Sequence, residues 1–575
     1  MARTVAIGRQ DFSKIRRDNC FYIDKTDFIR EWWENMDDVT VIMRPRRFGK
    51  TLNMSMTEQF FSVEYAGRSD LFEGLSIWEH EKFRQMQGTW PVIFLSFANV
   101  KETNYKDARI KICQLLTNLY MKNRFLLEEG FLKDRDREFF ERVSPEMDDN
   151  TATMAIYQLS NYLSAYYGKK AIILLDEYDT PMQEAYVDGY WDEFTAFCRS
   201  LFNATFKTNP YLERALMTGI TRVSKESIFS DLNNLEVVTT TSGKYEDCFG
   251  FTQSEVQKAL EEFGLSEQSE TVKTWYDGFI FGHTKDIYNP WSIINFLDKK
   301  KPMAYWANTS SNSLVNKLIR EGNRDVKLSF ERLLRGETLT AEVDEQIVYS
   351  QLQDNETAIW SLLLAGGYLK AKEHRIVTSD WGEWREEYEL ELTNFEVKIM
   401  FVKMVQGWFE RVSGDYNGFV KALPSDDVDA MNEYINRISQ TVFSFFDVGK
   451  SPSGKAEPER FYHGFVLGLI VELAGRYVVT SNRESGFGRY DVCLEPTREE
   501  DNAVLMEFKV FQPNREKTLE ETVQTALRQI EEKRYAAGLV ERGVEKERIR
   551  AYGVAFEGKK VLIGKGRARH EVDFK

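Results

Sequence analysis

Gly49-Lys50-Thr51 brings together the residue types that meet a polyphosphate. The glycine lets backbone N–H groups approach, the ammonium neutralises phosphate oxygens, and the hydroxyl ligates a divalent cation. Downstream, LLDEYD (174–179) places Asp176 and Glu177 at the end of an apolar run, a pair suited to holding a magnesium shell and polarising a water. ERALMTG (213–219) ends on Thr218, a hydroxyl available to sense a γ-phosphate, with Arg222 close behind. A second set lies near the C-terminus, where GRYDVCLEP (488–496) and VLMEFKVFQ (504–512) carry Asp491, Glu507 and Lys509. Two carboxylates and an ammonium are what metal-assisted phosphodiester cleavage requires: the carboxylates hold Mg²⁺, and the lysine orients water or stabilises the developing phosphorane charge.

The first set is irregular. A phosphate-binding loop is usually G-x-x-x-x-G-K-[ST], but RPRRFGKT (44–51) has Arg44 where the first glycine belongs. The elements around it are those such a loop needs. VTVIM (39–43) reads as a β-branched strand, and TLNMSMTEQFFS reads as the helix that follows. PVIFLSF (91–97), KKAIILLDEYDTP (169–181) and ERALMTG add strands, with helices expected over about 105–122 and 191–207. This alternation predicts a parallel α/β sheet covered on both faces, with the polar residues gathered at the strand ends where such sheets bind ligands. At the C-terminus the alternation of VLMEFKV puts Glu507 and Lys509 on one face and Met506, Phe508 and Val510 on a core face. Asp491, sixteen positions earlier, fits the other arm of a hairpin.

FYIDKTDFI (21–29), RPRRFGKTL (44–52), LLDEYDTP (174–181) and TGITRVSKESIFSDLNNL (218–235) resemble the predicted AAA-ATPase-like family of bacterial proteins. WYDGFIFG (275–282), YNPWSI (288–293) and NTSSN (308–312) resemble its downstream region. In that family the loop is itself written R-P-R-R-F-G-K-[ST]. The resemblance implies a P-loop NTPase sheet of the AAA/ASCE type, with ATP and Mg²⁺ as cofactors. It implies nucleotide contacts from Arg44, Pro45, Arg46, Arg47, Phe48, Gly49, Lys50, Thr51, Leu52, Asp176, Thr218 and Arg222. Thr51 and Asp176 would stand at the Mg²⁺, and Glu177 at the attacking water. The C-terminal stretch resembles the PD-(D/E)XK nuclease superfamily, whose core runs αβββαβ; Asp491 and Glu507 would ligate metal, and Lys509 would complete the catalytic set. Glu472, Glu484 and Gln529 are auxiliary candidates there, while His463 reads as a helix-surface residue.

The chain of 575 residues is too long for one core, and hydrophobic content of 42% with 14% aromatics supports packed interiors. SPSGKAEPE (451–459) is the best linker. The organisation expected is therefore an AAA-type ATPase domain over 1–245, a helical middle over 246–450 with a winged-helix-like module around AIWSLLLAGGYL (358–369), and a nuclease-like domain over 451–575. No run of about 18 apolar residues exists, and the opening MARTVAIGRQDF has no apolar signal region, so a cytoplasmic protein with no membrane partner is expected. Five scattered cysteines and five histidines argue against disulfides or a structural zinc. Net charge is −15, yet residues 451–575 carry 22 Lys+Arg against 21 Asp+Glu, so the C-terminal part alone is even neutral. The function expected is ATP binding and hydrolysis gating Mg²⁺-dependent cleavage of nucleic acid, with DNA the expected substrate. Its rivals are a non-cleaving nucleotide-dependent switch that binds DNA or a protein regulator, and a DNA motor acting as a homo-oligomer.

Overall fold

The computed structural model describes residues 3–221, 229, 232–306, 313–321, 324–344, 355–378, 384–410, 418–442, 466, 470, 473, 476–485, 488–498, 500–557 and 560–566. The linker 451–459, NTSSN, Arg222, His463 and Glu472 lie outside them. The chain forms two compact units, residues 1–318 with 336–400, and residues 319–335 with 401–575.

The first unit is built on five strands: β1 (Val39–Met43), β2 (Val92–Ser96), β3 (Ala171–Asp176), β4 (Leu212–Gly219) and β5 (Leu235–Val238). Every pairing is parallel and the order is β2-β3-β4-β1-β5. This is the AAA/ASCE arrangement, in which β4 stands between the strand that feeds the phosphate loop and the strand that carries the acids. All five residues of β1 and all six of β3 are buried, because helices cover both faces. Alternate residues of β3 serve opposite cores. Ile173 and Leu175 join the helices Tyr105–Lys122, Asp149–Tyr167 and Trp191–Phe206, whereas Ile172 and Leu174 pack with Met54, Met56, Phe60 and Phe61 of the helix Lys50–Phe61.

Beyond β5 the same unit holds two small antiparallel sheets. In one, β6 (Phe251–Thr252), β7 (Phe279–Phe281) and β8 (Thr284–Tyr288) pair in the order β6-β8-β7. A helix, Pro290–Lys299, follows, capped by the Asn289 side chain, which accepts from the N–H groups of Trp291 and Ser292. In the other, β9 (Leu339–Glu342), β10 (Leu369–Thr378) and β11 (Trp384–Leu392) pair in the order β10-β11-β9, with the helix Glu356–Ala365 leading into β10. A helix entering a long hairpin whose second arm pairs with the strand before it has the connectivity of a winged helix. The small strands β6 to β8 lie within the stretch expected to be helical.

The second unit contains β12 (Tyr477–Ser485), β13 (Gly488–Pro496), β14 (Ala503–Val510), β15 (Ile549–Glu557) and β16 (Lys560–Lys565), paired in chain order and antiparallel except for β14 with β15. The helix Leu519–Glu532 makes the parallel crossover and covers one face, with Val523, Leu527 and Ile530 against Leu505 and Ala555. The other face packs on Phe419, Leu423, Met431 and Ile435, so helices at 418–442 share the core of the C-terminal sheet. Asn432 and Asn436, one turn apart, each donate to and accept from the main chain of edge strand β16, at Ile563 and Val561. That helix thereby takes the place of a sixth strand.

Candidate nucleotide and nuclease sites

Gly49 caps the helix Lys50–Phe61 in the left-handed region, φ 80°, and Arg47 two residues earlier has φ 66°. These paired turns wrap the loop back so that Lys50 lies beneath it. The Lys50 ammonium donates to the carbonyl oxygens of Arg44 and Pro45, both at 2.8 Å. Burial lowers its pKa, against the pull of Glu177, Asp179 and Asp176. Thr51 Oγ1 donates to Asp176 Oδ2 at 2.9 Å, and Thr218 Oγ1 donates to Asp176 Oδ1 at 2.6 Å. Asp176 is fully buried, and desolvation raises its pKa against those two hydroxyl donors. The interposed β4 makes this possible, since its last residues lie beside the acid-bearing end of β3. Glu177 adopts φ 51°, a conformation that costs a non-glycine residue about 1–2 kcal/mol, and its carboxylate accepts from Thr180 Oγ1 at 3.2 Å.

Each of the five loop side chains from Arg44 to Phe48 is engaged by protein. Arg44, which the family resemblance places at the phosphates, is fully buried, and the cause is clear. Its guanidinium donates to the carbonyls of Met43 (2.9 Å), Thr239 (2.5 Å) and Tyr245 (3.3 Å) and lies 4.6 Å over the Phe281 ring. Desolvation pulls its pKa down to about 10, which leaves it charged at neutral pH. Pro45 likewise faces away from the cavity, against Gly367, where an added Cβ would lie 2.7 Å from Pro45 Cγ. Arg46 donates through Nη2 to Gln183 Oε1 at 3.1 Å, and its carbonyl accepts from Asn289 Nδ2 at 3.3 Å. Arg47 lies 4.4 Å over the Trp291 ring. Phe48 meets Phe279 and Phe281 edge-on at 4.7 and 5.3 Å. The missing first glycine is thus replaced by a bolt: Arg44 fixes the turn from outside.

Beside this loop lies a cavity of about 650 Å³, within the usual range for small-molecule sites. Arg46, Arg47, Phe48, Gly49, Lys50, Thr51, Leu52, Asp176 and Glu177 contribute to its wall, together with apolar groups of Phe21, Ile23, Phe251, Trp291 and Ile294. Thr218 is not among the residues that line it, and its hydroxyl donates to Asp176. Sequence reasoning missed Asp179. This buried carboxylate accepts through Oδ2 from the N–H groups of Ile220 (2.9 Å) and Thr221 (2.8 Å), the Thr221 hydroxyl and Gln183 Nε2. Its only signal was a third acid in LLDEYD. Asn289 and Trp291 were also missed as loop partners, although they form the core of the YNPW motif.

In the second unit Val492 faces Met506 across β13 and β14, which puts Asp491 and Glu507 at the next step of the ladder. Asp491 Oδ2 accepts from the Phe508 N–H at 2.8 Å, and Lys509 Nζ meets Glu507 Oε1 at 3.3 Å. Glu507 is 1% exposed, and burial raises the Asp491 pKa against Lys509 and the Phe508 amide. Gln529, on the crossover helix, donates its amide to Glu507 Oε1 and also to the Tyr535 hydroxyl at 3.1 Å. Tyr535 was not anticipated. Glu484 stands on β12 opposite Arg489. Two carboxylates, an ammonium and an amide therefore converge where the ladder between β13 and β14 ends.

Residues 6–229 match the predicted AAA-ATPase family. Residues 457–566 match the PD-(D/E)XK nuclease superfamily. A protein from Azotobacter chroococcum mcd 1, described as an "Uncharacterized protein in vnfD 5'region", is 25% identical over 398 residues, 69% of this chain and 68% of its own length. The AAA-ATPase match thus spans four of the five strands of the parallel sheet, β1 to β4, and the PD-(D/E)XK match spans the sheet that brings Asp491, Glu507 and Lys509 together. Nucleotide and divalent metal are the general requirements of these two domain classes, and nucleic acid is the substrate implied by the second. No helix among the described residues is long and apolar enough to cross a membrane.

Proposed function

We propose that this protein binds and hydrolyses ATP in its AAA-ATPase-like part, and that its nucleotide state gates Mg²⁺-dependent cleavage of DNA by its PD-(D/E)XK part, in the cytoplasm. The observation that supports this reading is that each unit brings together the residue types its chemistry would need: Lys50, Thr51, Asp176 and Glu177 around one cavity, and Asp491, Glu507 and Lys509 on one strand pair.

The Thr51 hydroxyl and Asp176 carboxylate, 2.9 Å apart at the cavity, form the hard oxygen pair that suits Mg²⁺, and so do the half-buried Asp491 and the buried Glu507 carboxylates. When bound, the ion neutralises phosphate charge and sharpens the electrophilicity of phosphorus. Lys50 leaves the carbonyls of Arg44 and Pro45 to meet the β- and γ-phosphates. Glu177, at the end of β3, orients the attacking water and accepts its proton. Asp176 is kept in place by Thr218 from behind. In the nuclease-like part Lys509 stabilises the negative charge that gathers on phosphorus oxygens, and Gln529 fixes the rotamer of Glu507. The small sheets over 251–288 and 339–392 touch the loop at Phe48, Arg44 and Pro45, which makes them the natural carriers of the nucleotide signal.

One purified preparation tests the reading. ATPase activity and DNA cleavage are measured with Mg²⁺ for wild type, Lys50→Ala and Lys509→Ala. Lys509→Ala is expected to lose cleavage and keep ATP turnover, and Lys50→Ala to lose both. If both variants cleave DNA as well as wild type, the nuclease assignment is wrong.

A further inference from the structure

Three arginines crowd the phosphate loop, and the structure gives them different duties. Arg44 is sealed behind the loop among main-chain carbonyls, and Arg47 rests on the Trp291 ring. Arg46 lies on the cavity wall with its guanidinium beside the helix Thr180–Asp188 that follows the acidic strand end. Its Nη2 donates to Gln183 Oε1 at 3.1 Å; Gln183 Nε2 in turn donates to Asp179 Oδ2 at 3.3 Å, and Asp179 is anchored on the amides of Ile220 and Thr221. At its other end the Arg46 carbonyl is held by Asn289. The residue is fixed at both ends, and it lines the same cavity as Lys50. Two cations placed side by side over one cavity call for a ligand with concentrated negative charge.

We infer that Arg46 is a catalytic residue supplied in cis, placed by Gln183 against the γ-phosphoryl group, so that ATP hydrolysis in this chain needs no arginine from a neighbouring subunit. The inference rests on the ATP reading above. In the reaction water oxygen bonds to the γ-phosphorus while the bond from that phosphorus to the β,γ-bridging oxygen breaks. ADP departs with the bridging oxygen, inorganic phosphate forms, and the water proton passes to the Glu177 carboxylate and then to solvent. Negative charge builds on the bridging and γ-phosphoryl oxygens as the bond breaks, and a planar guanidinium meets two such oxygens at once. Gln183 is a positioning residue, since it reaches the phosphates only through Arg46. Asp179 sets Gln183 and so ties the arginine to the acidic strand end.

The test compares wild type, Arg46→Ala, Arg46→Lys and Gln183→Leu, with Lys50→Ala alongside. Arg46→Ala is expected to lower kcat by about 10³-fold, the effect of removing a transition-state arginine, while the Kd for ATP shifts less than tenfold. Binding of ADP with aluminium fluoride, a mimic of the transferring phosphoryl group, is lost in Arg46→Ala while ADP binding is kept. Arg46→Lys recovers part of the rate, and Gln183→Leu falls between. Mixing Arg46→Ala with Lys50→Ala separates cis from trans: a cis arginine leaves the mixture inactive, whereas recovered turnover overturns the inference. An Arg46→Ala protein with wild-type kcat also overturns it. Wild-type turnover in Lys50→Ala overturns the underlying ATP reading instead.

Discussion

Gly367 stands so close to Pro45 that a Cβ on residue 367 would lie 2.7 Å from the proline ring. This contact joins the turn before β10 to the second residue of the phosphate loop, and Gly367 makes it with φ 79°. An alanine there meets both the ring and the left-handed backbone. Gly367→Ala is expected to destabilise the fold by about 1–3 kcal/mol and to weaken nucleotide binding. Thermal melts with and without ATP check both effects; an unchanged Kd would mean that the contact does not shape the loop.

Arg44 predicts a loss of stability separate from any loss of charge at the phosphates. Its removal strands the carbonyls of Thr239 and Tyr245 in a dry environment. Arg44→Ala is expected to lower stability in urea by about 3 kcal/mol or more, with ATP affinity falling because the loop loosens. If stability is unaltered and only phosphate affinity drops, the side chain reaches the nucleotide after all.

Glu58, in the helix Lys50–Phe61, is a carboxylate whose burial pushes its pKa from an ordinary 4.5 to about 7, although Lys122 lies 3.9 Å away. The folded state therefore holds this proton more tightly than the unfolded chain. Stability from this group is full below about pH 4.5, declines as pH rises and levels off above pH 7, by about 3 kcal/mol in total. Glu58→Gln is expected to flatten that slope in denaturation curves measured across the window. A mutant with the wild-type slope would assign the pH dependence to other groups.

Gln529 and Glu507 give a prediction on metal affinity. A side chain that orients a ligand carboxylate from the next layer contributes about 10–100-fold to affinity. Gln529→Leu is expected to weaken Mg²⁺ or Mn²⁺ binding to the nuclease-like site by that factor in titration calorimetry, with the melting temperature nearly unchanged. Binding as tight as wild type would leave Gln529 with a packing role alone.

Some of this was legible in the residues and some was not, for physical reasons. VTVIM and KKAIILLD announce buried parallel strands because a strand covered on both faces needs no polar alternation, and the structure returns them as β1 and β3. MEFKV announces its two faces by alternation, and β14 keeps Met506 and Phe508 in the core. The role of Arg44 was hidden, since its carbonyl partners stand 195 and 201 residues away and carry no side-chain signature. The position of β4 between β1 and β3 was hidden too, because strand order is a long-range property. β6 to β8 escaped notice because they are only two to five residues long, too short for a period to show. Gln529 could be flagged from its place on an amphipathic helix, whereas Tyr535 reaches the site only through the turn that follows.

The aromatic and glycine contacts around Arg44 to Phe48 also bear on modularity. In many P-loop proteins the loop is self-supporting, shaped by its own glycines, and can be thought of as a portable part. Here its shape is borrowed from Phe279, Phe281, Trp291 and Gly367, all of which follow residue 245 in the chain. Cutting the protein after the parallel sheet would strip Phe48 of Phe279 and Phe281 and Arg44 of Thr239, Tyr245 and Phe281, and transplanting RPRRFGKT into another scaffold would carry across the letters without the conformation.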